Sequence, residues 1–216
     1  MRVSPSIISA RLYDLQGEIR QCEEAGASSF HLDVMDGHFV PNLTIGPDFV
    51  KAVKHCSHIP LETHLMIDRP DKYYMVFVDA GSDVIMVHYE TPIDVVSLFR
   101  KLDHEGVKRS LVINPETQIR EVEDLIPGCS SLLVMSVHPG FSGQKFITDS
   151  VGKLKEAREF LNENAPDTLL EIDGGINLET GKLCAEAGAD VLISASYIFG
   201  NEIAKSITSL RNLQKH

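Results

Sequence analysis

The sequence predicts a closed (β/α)₈ barrel, and three observations carry that expectation. Short apolar runs rich in β-branched residues recur along the 216 residues, with amphipathic stretches between them. Alternation of that kind implies parallel strands joined by helical crossovers. Eight such units in so short a chain fit a closed barrel better than an open sheet with both edges to cover. The length suits one barrel domain spanning 1–216, with no linker or low-complexity tract.

The first strand is expected over Val3–Ile8 and the second over Ser29–Met35. Alternate strand residues share a face, so His31, Asp33 and Met35 lie on one side, with Phe30, Leu32 and Val34 on the other. The third, Pro60–Met66, puts Glu62, His64 and Met66 together. The fourth, Val84–Tyr89, brings His88 and then Glu90 near its end. The fifth and sixth are expected over Arg109–Ile113 and Leu132–Val137, the latter carrying Met135. The seventh, Leu169–Asp173, sets Glu171 and Asp173 on one face, and the eighth covers Val191–Ala195. Helical patterns stand between strands, among them LQGEIRQCEEAG, DKYYMVFVDAG, VGKLKEAREFLNEN and LETGKLCAEAG. A weak echo ends three of them: Ala-Gly at 25–26, 80–81 and 187–188, each just before a strand. Glycine there supplies a left-handed cap that stops the helix.

A formal net charge of −11 argues against nucleic acid or an anionic membrane as partner. An anionic small molecule must then be held locally, by backbone N–H groups, helix N-termini or a metal. No apolar run approaches the roughly 20 residues that span a bilayer. The opening MRVSPSIIS has neither a signal-peptide core nor a cleavage site. Cys22, Cys56, Cys129 and Cys184 form no C-x-x-C pair, which suits reduced thiols and a cytoplasmic location.

A buried carboxylate without a partner is costly enough that it neutralises or finds a cation. If the inward faces converge, His31, Asp33, His64 and Asp173 meet at the C-terminal mouth of the barrel, where catalytic groups of such folds sit. Two histidines and two carboxylates suit Zn²⁺, Mn²⁺ or Fe²⁺. The residues alone leave a second reading open, in which these are hydrogen-bonded structural groups of an ordinary barrel interior. Anion binding has a candidate constellation too: HPGFSGQKF after the sixth strand, Asp173-Gly174-Gly175 after the seventh and Ser194-Ala195-Ser196 on the eighth. Glycines let backbone N–H groups approach an anion, and barrel loops after strands seven and eight commonly hold a phosphate. Taken singly, each glycine could equally be a turn residue. Lys145 is the one basic residue of the glycine loop, so backbone dipoles would carry most of the binding. Met35, Met66 and Met135 share faces with the polar set, either as core filling or as an apolar lining that excludes water.

SPSIIS, HLDVMDGHFVPN, THLM, VMSVHPGFSGQKF and EIDGGI, in this order and spacing, resemble the ribulose-phosphate 3-epimerase family from Val3 to about Gly200. The resemblance implies one divalent metal (Zn²⁺, Fe²⁺, Mn²⁺ or Co²⁺) held by His31, Asp33, His64 and Asp173. It makes Asp33 and Asp173 the acid and base as well. Ser6 and His64 would contact the substrate, while Gly140, Phe141, Ser142, Gly143, Gly174, Gly175, Ala195 and Ser196 would surround its phosphate. The implied partner is a small ketose phosphate, and a homo-oligomer is the expected assembly. Two departures bear on the phosphate site: the family's G-F-G-G loop has Ser142 at its third place, and its last loop has Ala195-Ser196 in place of Gly-Ser. Both add a small side chain near the anion.

The implied reaction inverts a carbon beside a ketone, removing a C–H proton and returning one to the opposite face. Its nearest rival is the same chemistry on a ketohexose phosphate such as allulose 6-phosphate. A decarboxylase or aldolase on a related barrel would need D-x-K-x-x-D where this strand reads DVMD, without the lysine. A barrel that binds phosphosugar without turnover is a third alternative, against which the intact ligand set speaks.

Overall fold

Apolar residues at alternate positions dictate strands with two different faces, and the computed structural model, which describes residues 1–215, contains eight of them. His216, the last residue of the expected 1–216 domain, lies outside those described. The strands are β1 (Arg2–Pro5), β2 (Phe30–Met35), β3 (Leu61–Met66), β4 (Val84–His88), β5 (Lys108–Ile113), β6 (Ser131–Met135), β7 (Leu169–Asp173) and β8 (Val191–Ser194). From β2 to β8 each strand pairs in parallel with the next, and β1 pairs in parallel with β8. Between β1 and β2 the ladder shrinks to a single bridge, Ser6 with His31, beside a bond from Ser28 N–H to Val3 O of 2.9 Å. That seam completes a (β/α)₈ barrel.

The crossovers are α1 (Leu15–Glu24), α2 (Pro47–Cys56), α3 (Pro70–Asp79), α4 (Val95–His104), α5 (Ser150–Asn164) and α6 (Leu178–Glu186), with α7 (Ser196–Phe199) and α8 (Ile203–Arg211) after β8. Local chemistry starts and stops them. Proline opens α2 and α3, where a missing N–H costs nothing. Asp94 accepts the Ser97 N–H ahead of α4, and Asn177 forms a reciprocal cap with Thr180 ahead of α6. Gly26, Gly81 and Gly188 take positive φ of 86°, 108° and 101° after α1, α3 and α6, as the repeated Ala-Gly pairs foretell. Between β5 and β6 two 3₁₀ turns, Ile119–Glu121 and Glu123–Leu125, stand in for a helix.

Outward residues such as Phe30, Leu32, Leu61, Leu65, Leu111 and Leu132 are fully buried under the helices. Each large apolar side chain so buried contributes roughly 1.5–3 kcal/mol. The inward face is split between a small apolar cluster (Met86, Val112, Leu133, Met135 and Ile193 among it) and polar groups. The four cysteines are free, and Cys22, Cys129 and Cys184 are buried. Among the described residues no helix is long and apolar enough to cross a membrane.

Four strands stop earlier than alternation predicts, β4 by the single residue Tyr89. The run expected over Val3–Ile8 leaves the sheet at Pro5, because Ile7–Ser9 winds into a 3₁₀ turn closed by Ala10 N–H on Ile7 O. Leu132–Val137 gives way at Met135, where the Ser136 hydroxyl donates to Asp173 O and Gly174 O at 2.8 Å and bends the chain toward the end of β7. Ala195 leaves β8 to cap α7. Each shortening lies at the C-terminal mouth, where loops carry the site.

Candidate metal and active site

Register brings the polar residues of neighbouring strands together before any side-chain contact is considered. Asp33 of β2 pairs across the ladder with His64 of β3, and Ser6 bridges to His31. His31 Nε2 lies 3.1 Å from His64 Nδ1 and 3.3 Å from Asp33 Oδ1. His64 Nδ1 is 3.2 Å from the same Asp33 oxygen, and Asp173 Oδ2 arrives from β7 at 3.8 Å from His31 Nε2. One ligand atom from each of the four residues falls within 4.8 Å of the others. Separations of this size suit donors arranged around one cation at the usual 2.0–2.2 Å.

Electrostatics favours a cation as well. Burial works against a charged His31, but Asp33, with Asp173 and Glu62 behind it, raises it to about 9. Burial works against a charged Asp33 too, but His31 and His64 hold it well below the usual carboxylate range. His64 is pushed down to about 3, chiefly by burial, although Asp33 opposes the fall. Asp173 is raised to about 7, first by burial and then by Asp33, with His31 pulling the other way. Burial and mutual repulsion thus make two ionised carboxylates costly here without positive charge between them. A divalent cation would compensate both carboxylates and compete with protons for the histidine nitrogens.

The remaining expected residues form the walls of one cavity above this cluster. Ser6, Asp33 and Asp173 line its base, and the Ser6 hydroxyl donates to Asp33 Oδ2 at 2.6 Å. Met35, Met66 and Met135, all nearly inaccessible, border it from three strands. The loop from Gly140 through Phe141 and Ser142 to Gly143 stands on one side, facing Gly174, Gly175, Ala195 and Ser196. His31 and His64 are fully buried in the barrel interior, and neither lines the wall.

Several participants escape a strand-by-strand reading. Ile8, Val137, Pro139, Gln144, Ile176 and Ile193 also line the cavity. The glycine loop is tied down from outside: Asn42 Nδ2 donates to Gly140 O at 2.7 Å, and the Ser142 hydroxyl lies 2.8 Å from that of Ser9. The hydroxyl that Ser142 adds to the loop therefore has a partner on the loop after β1. Gln144 stiffens the turn by donating to His138 O at 2.6 Å and Phe141 O at 3.0 Å. Beneath the cluster, partly buried Glu62 accepts from Ser4 at 3.1 Å. Burial and Glu62 together raise Glu171 well above the usual carboxyl range. Asparagine in FVPN and the serines of the first loop were signals of the right type, but only the closed barrel shows which loop they reach.

Gly175 has little room for change. Its φ is +63°, and an added Cβ would meet Phe146 N at 2.8 Å and Gln144 O at 3.0 Å. Gly175→Val should displace that strand of the glycine loop and raise KM for a phosphosugar roughly tenfold or more, a loss of about 1.4 kcal/mol in binding. Steady-state kinetics checks this; an unchanged KM would put the phosphate elsewhere.

Three comparisons bear on this geometry. A family model described as "Ribulose-phosphate 3 epimerase family" matches residues 2–199. A Bacillus subtilis protein named ribulose-phosphate 3-epimerase is 42% identical, covering 98% of each chain. A protein of that name from Methanocaldococcus jannaschii is 39% identical over 100% of this chain and 90% of its own. Among solved structures, 3-hexulose-6-phosphate synthase from Salmonella typhimurium superposes with a TM-score of 0.71 at 20% identity, covering 99% of this chain and 98% of its own. That last likeness speaks for the fold alone.

Proposed function

The chain belongs to the ribulose-phosphate 3-epimerase family, and on that premise we propose that it interconverts ribulose 5-phosphate and xylulose 5-phosphate. The observation that carries the reading is the convergence of His31, Asp33, His64 and Asp173 at the base of a glycine-walled cavity. These four residues would hold one divalent ion, Zn²⁺, Fe²⁺, Mn²⁺ or Co²⁺. When bound, it supplies Lewis acidity that polarises the substrate carbonyl and steadies an enediolate.

The rest of the mechanism belongs to the protein. Asp33 and Asp173 stand on different strands, so they can flank a bound sugar on opposite faces. One takes the proton from C3 while the other delivers a proton from the far side, and their roles exchange in the reverse direction. Each such positioned group contributes roughly 10²–10⁴-fold. Ser6, donating to Asp33, orients that carboxylate. Met35, Met66 and Met135 keep water from the reacting carbon, and the Gly140–Gly143 loop closes over the phosphate. Backbone N–H groups of that loop, with Gly174, Gly175, Ala195 and Ser196, hold the anion, since Lys145 is the one base in the loop.

The same reading makes the chain one barrel domain over 1–216, cytoplasmic, homo-oligomeric, and directed at a small ketose phosphate. The names of the relatives favour the pentulose over a ketohexose phosphate. Turnover of ribulose 5-phosphate and allulose 6-phosphate by the metal-loaded chain tests this. We expect kcat/KM for the pentulose to be higher by at least about tenfold, the scale of discrimination one extra carbon allows. Faster turnover of allulose 6-phosphate would reverse the assignment.

A further inference from the structure

β4 ends in His88, with Glu90 in the turn just after it; the proposed chemistry uses neither, yet through His88 the pair reaches the cluster. His88 is fully buried, and its Nε2 lies 2.8 Å from Nε2 of His64, the edge of that ring turned away from Asp33. The two ring planes are tilted by 22° with centroids 4.9 Å apart, a separation that suits an edge-to-edge N–H···N bond at 2.8 Å. On its other edge His88 Nδ1 is 3.1 Å from Glu90 Oε2. The second carboxylate oxygen of Glu90 is already taken: Oε1 accepts the Asn114 N–H at 2.8 Å and the Thr117 hydroxyl. Phe39 packs on the His88 ring at 4.9 Å and keeps it in place.

Donor and acceptor rules then run in one direction along this line. A carboxylate only accepts, so His88 must carry its proton on Nδ1. A neutral imidazole has one donor and one acceptor nitrogen, which leaves His88 Nε2 as acceptor. His64 must therefore donate from Nε2, and its Nδ1, the atom beside Asp33 and His31, is left with a free lone pair. We propose that Glu90 and His88 are positioning residues that fix the tautomer of His64 and so make its Nδ1 available to a cation. This rests on the metal reading of the cluster given above. The polarity is set at Asn114, whose backbone N–H can face only an acceptor. Burial works against a charged Glu90, but hydrogen bonds from His88, Thr117 and Asn114 hold it below the usual range, consistent with an anion at the head of the line.

The arrangement makes an unusual demand on a near-isosteric change. In Glu90→Gln the side-chain oxygen must stay with the Asn114 N–H, which turns the amide NH₂ toward His88. His88 would then accept at Nδ1 and donate from Nε2. His64 would be driven to protonate on Nδ1, the nitrogen the cation needs. In Glu90→Ala no group dictates the direction, and His88 keeps access to either tautomer.

The test is zinc affinity of the purified full chain, by chelator competition, for the parent, Glu90→Gln and Glu90→Ala, with far-UV circular dichroism to establish folding. Long-range ¹H–¹⁵N spectra of the zinc-loaded proteins report which nitrogen of His88 and His64 is protonated. We expect Glu90→Gln to bind zinc 10–100-fold more weakly than the parent, the range typical of changes behind a metal ligand. Glu90→Ala should fall between them. A merely structural glutamate predicts the opposite order, because glutamine fills the space and alanine does not. Affinity in Glu90→Gln within threefold of the parent, or weaker binding in Glu90→Ala than in Glu90→Gln, overturns the proposal. A parent that binds no zinc overturns instead the metal reading beneath it.

Discussion

Asp173→Asn should lower kcat for ribulose 5-phosphate epimerisation by roughly 10²–10⁴-fold, the contribution of one positioned acid or base. Asparagine keeps the size of the side chain and can still offer an oxygen, but its amide neither gains nor loses a proton near neutral pH. The asymmetry of the two carboxylates makes this variant the informative one. Asp33 is engaged by Ser6, His31 and His64, whereas the side chain of Asp173 touches only His31 among the cluster, at 3.8 Å. Removing its charge therefore disturbs the ligand set least. Slow exchange of the C3 hydrogen should survive in the one epimer whose proton faces Asp33. Metal content, measured beside kcat, separates loss of a proton carrier from loss of the ion. Full epimerisation in a metal-replete Asp173→Asn would remove this residue from the chemistry.

His64→Ala should abolish metal binding and activity together, with a loss of affinity beyond the 10–100-fold typical of changes behind a ligand. His64 is in contact with Asp33, His31 and His88 at once, so its removal breaks the cluster at its centre. The fold should persist, because the apolar layer between strands and helices does not include it. Metal analysis after dialysis, activity and far-UV circular dichroism measure the three quantities. A variant that keeps full activity after exhaustive chelation would refute the role of His64.

Much of the site could be read from alternation within single strands. His31 with Asp33, His64 with Met66 and Asp173 behind Glu171 share faces because of the strand period of two, and closing the barrel brings those faces together. What alternation could not supply is contact between distant loops. Ser9 meets Ser142 across 133 positions of sequence, and Asn42 reaches Gly140 across 98. Nothing local to either residue marks the partner. Strand ends escape alternation for a related reason. Ser136 falls inside the apolar run LLVMSV and does not by itself mark an end, but its hydroxyl finds Asp173 O and Gly174 O where the run stops. His88 and Glu90 are legible as polar residues at and just past the end of β4, while their alignment with His64 depends on the register between β3 and β4.

If two carboxylates on opposite faces of the sugar share the work, the fate of the C3 hydrogen reports it most directly. Turnover of ribulose 5-phosphate in D₂O by the fully metal-loaded parent should give xylulose 5-phosphate carrying deuterium at C3. The acid that delivers the new proton draws it from solvent between turnovers. Substrate recovered early should remain largely unlabelled, because the abstracting carboxylate tends to return its own proton. A single swinging base would move the original hydrogen across, and a product that retains much of that hydrogen would contradict the two-carboxylate mechanism.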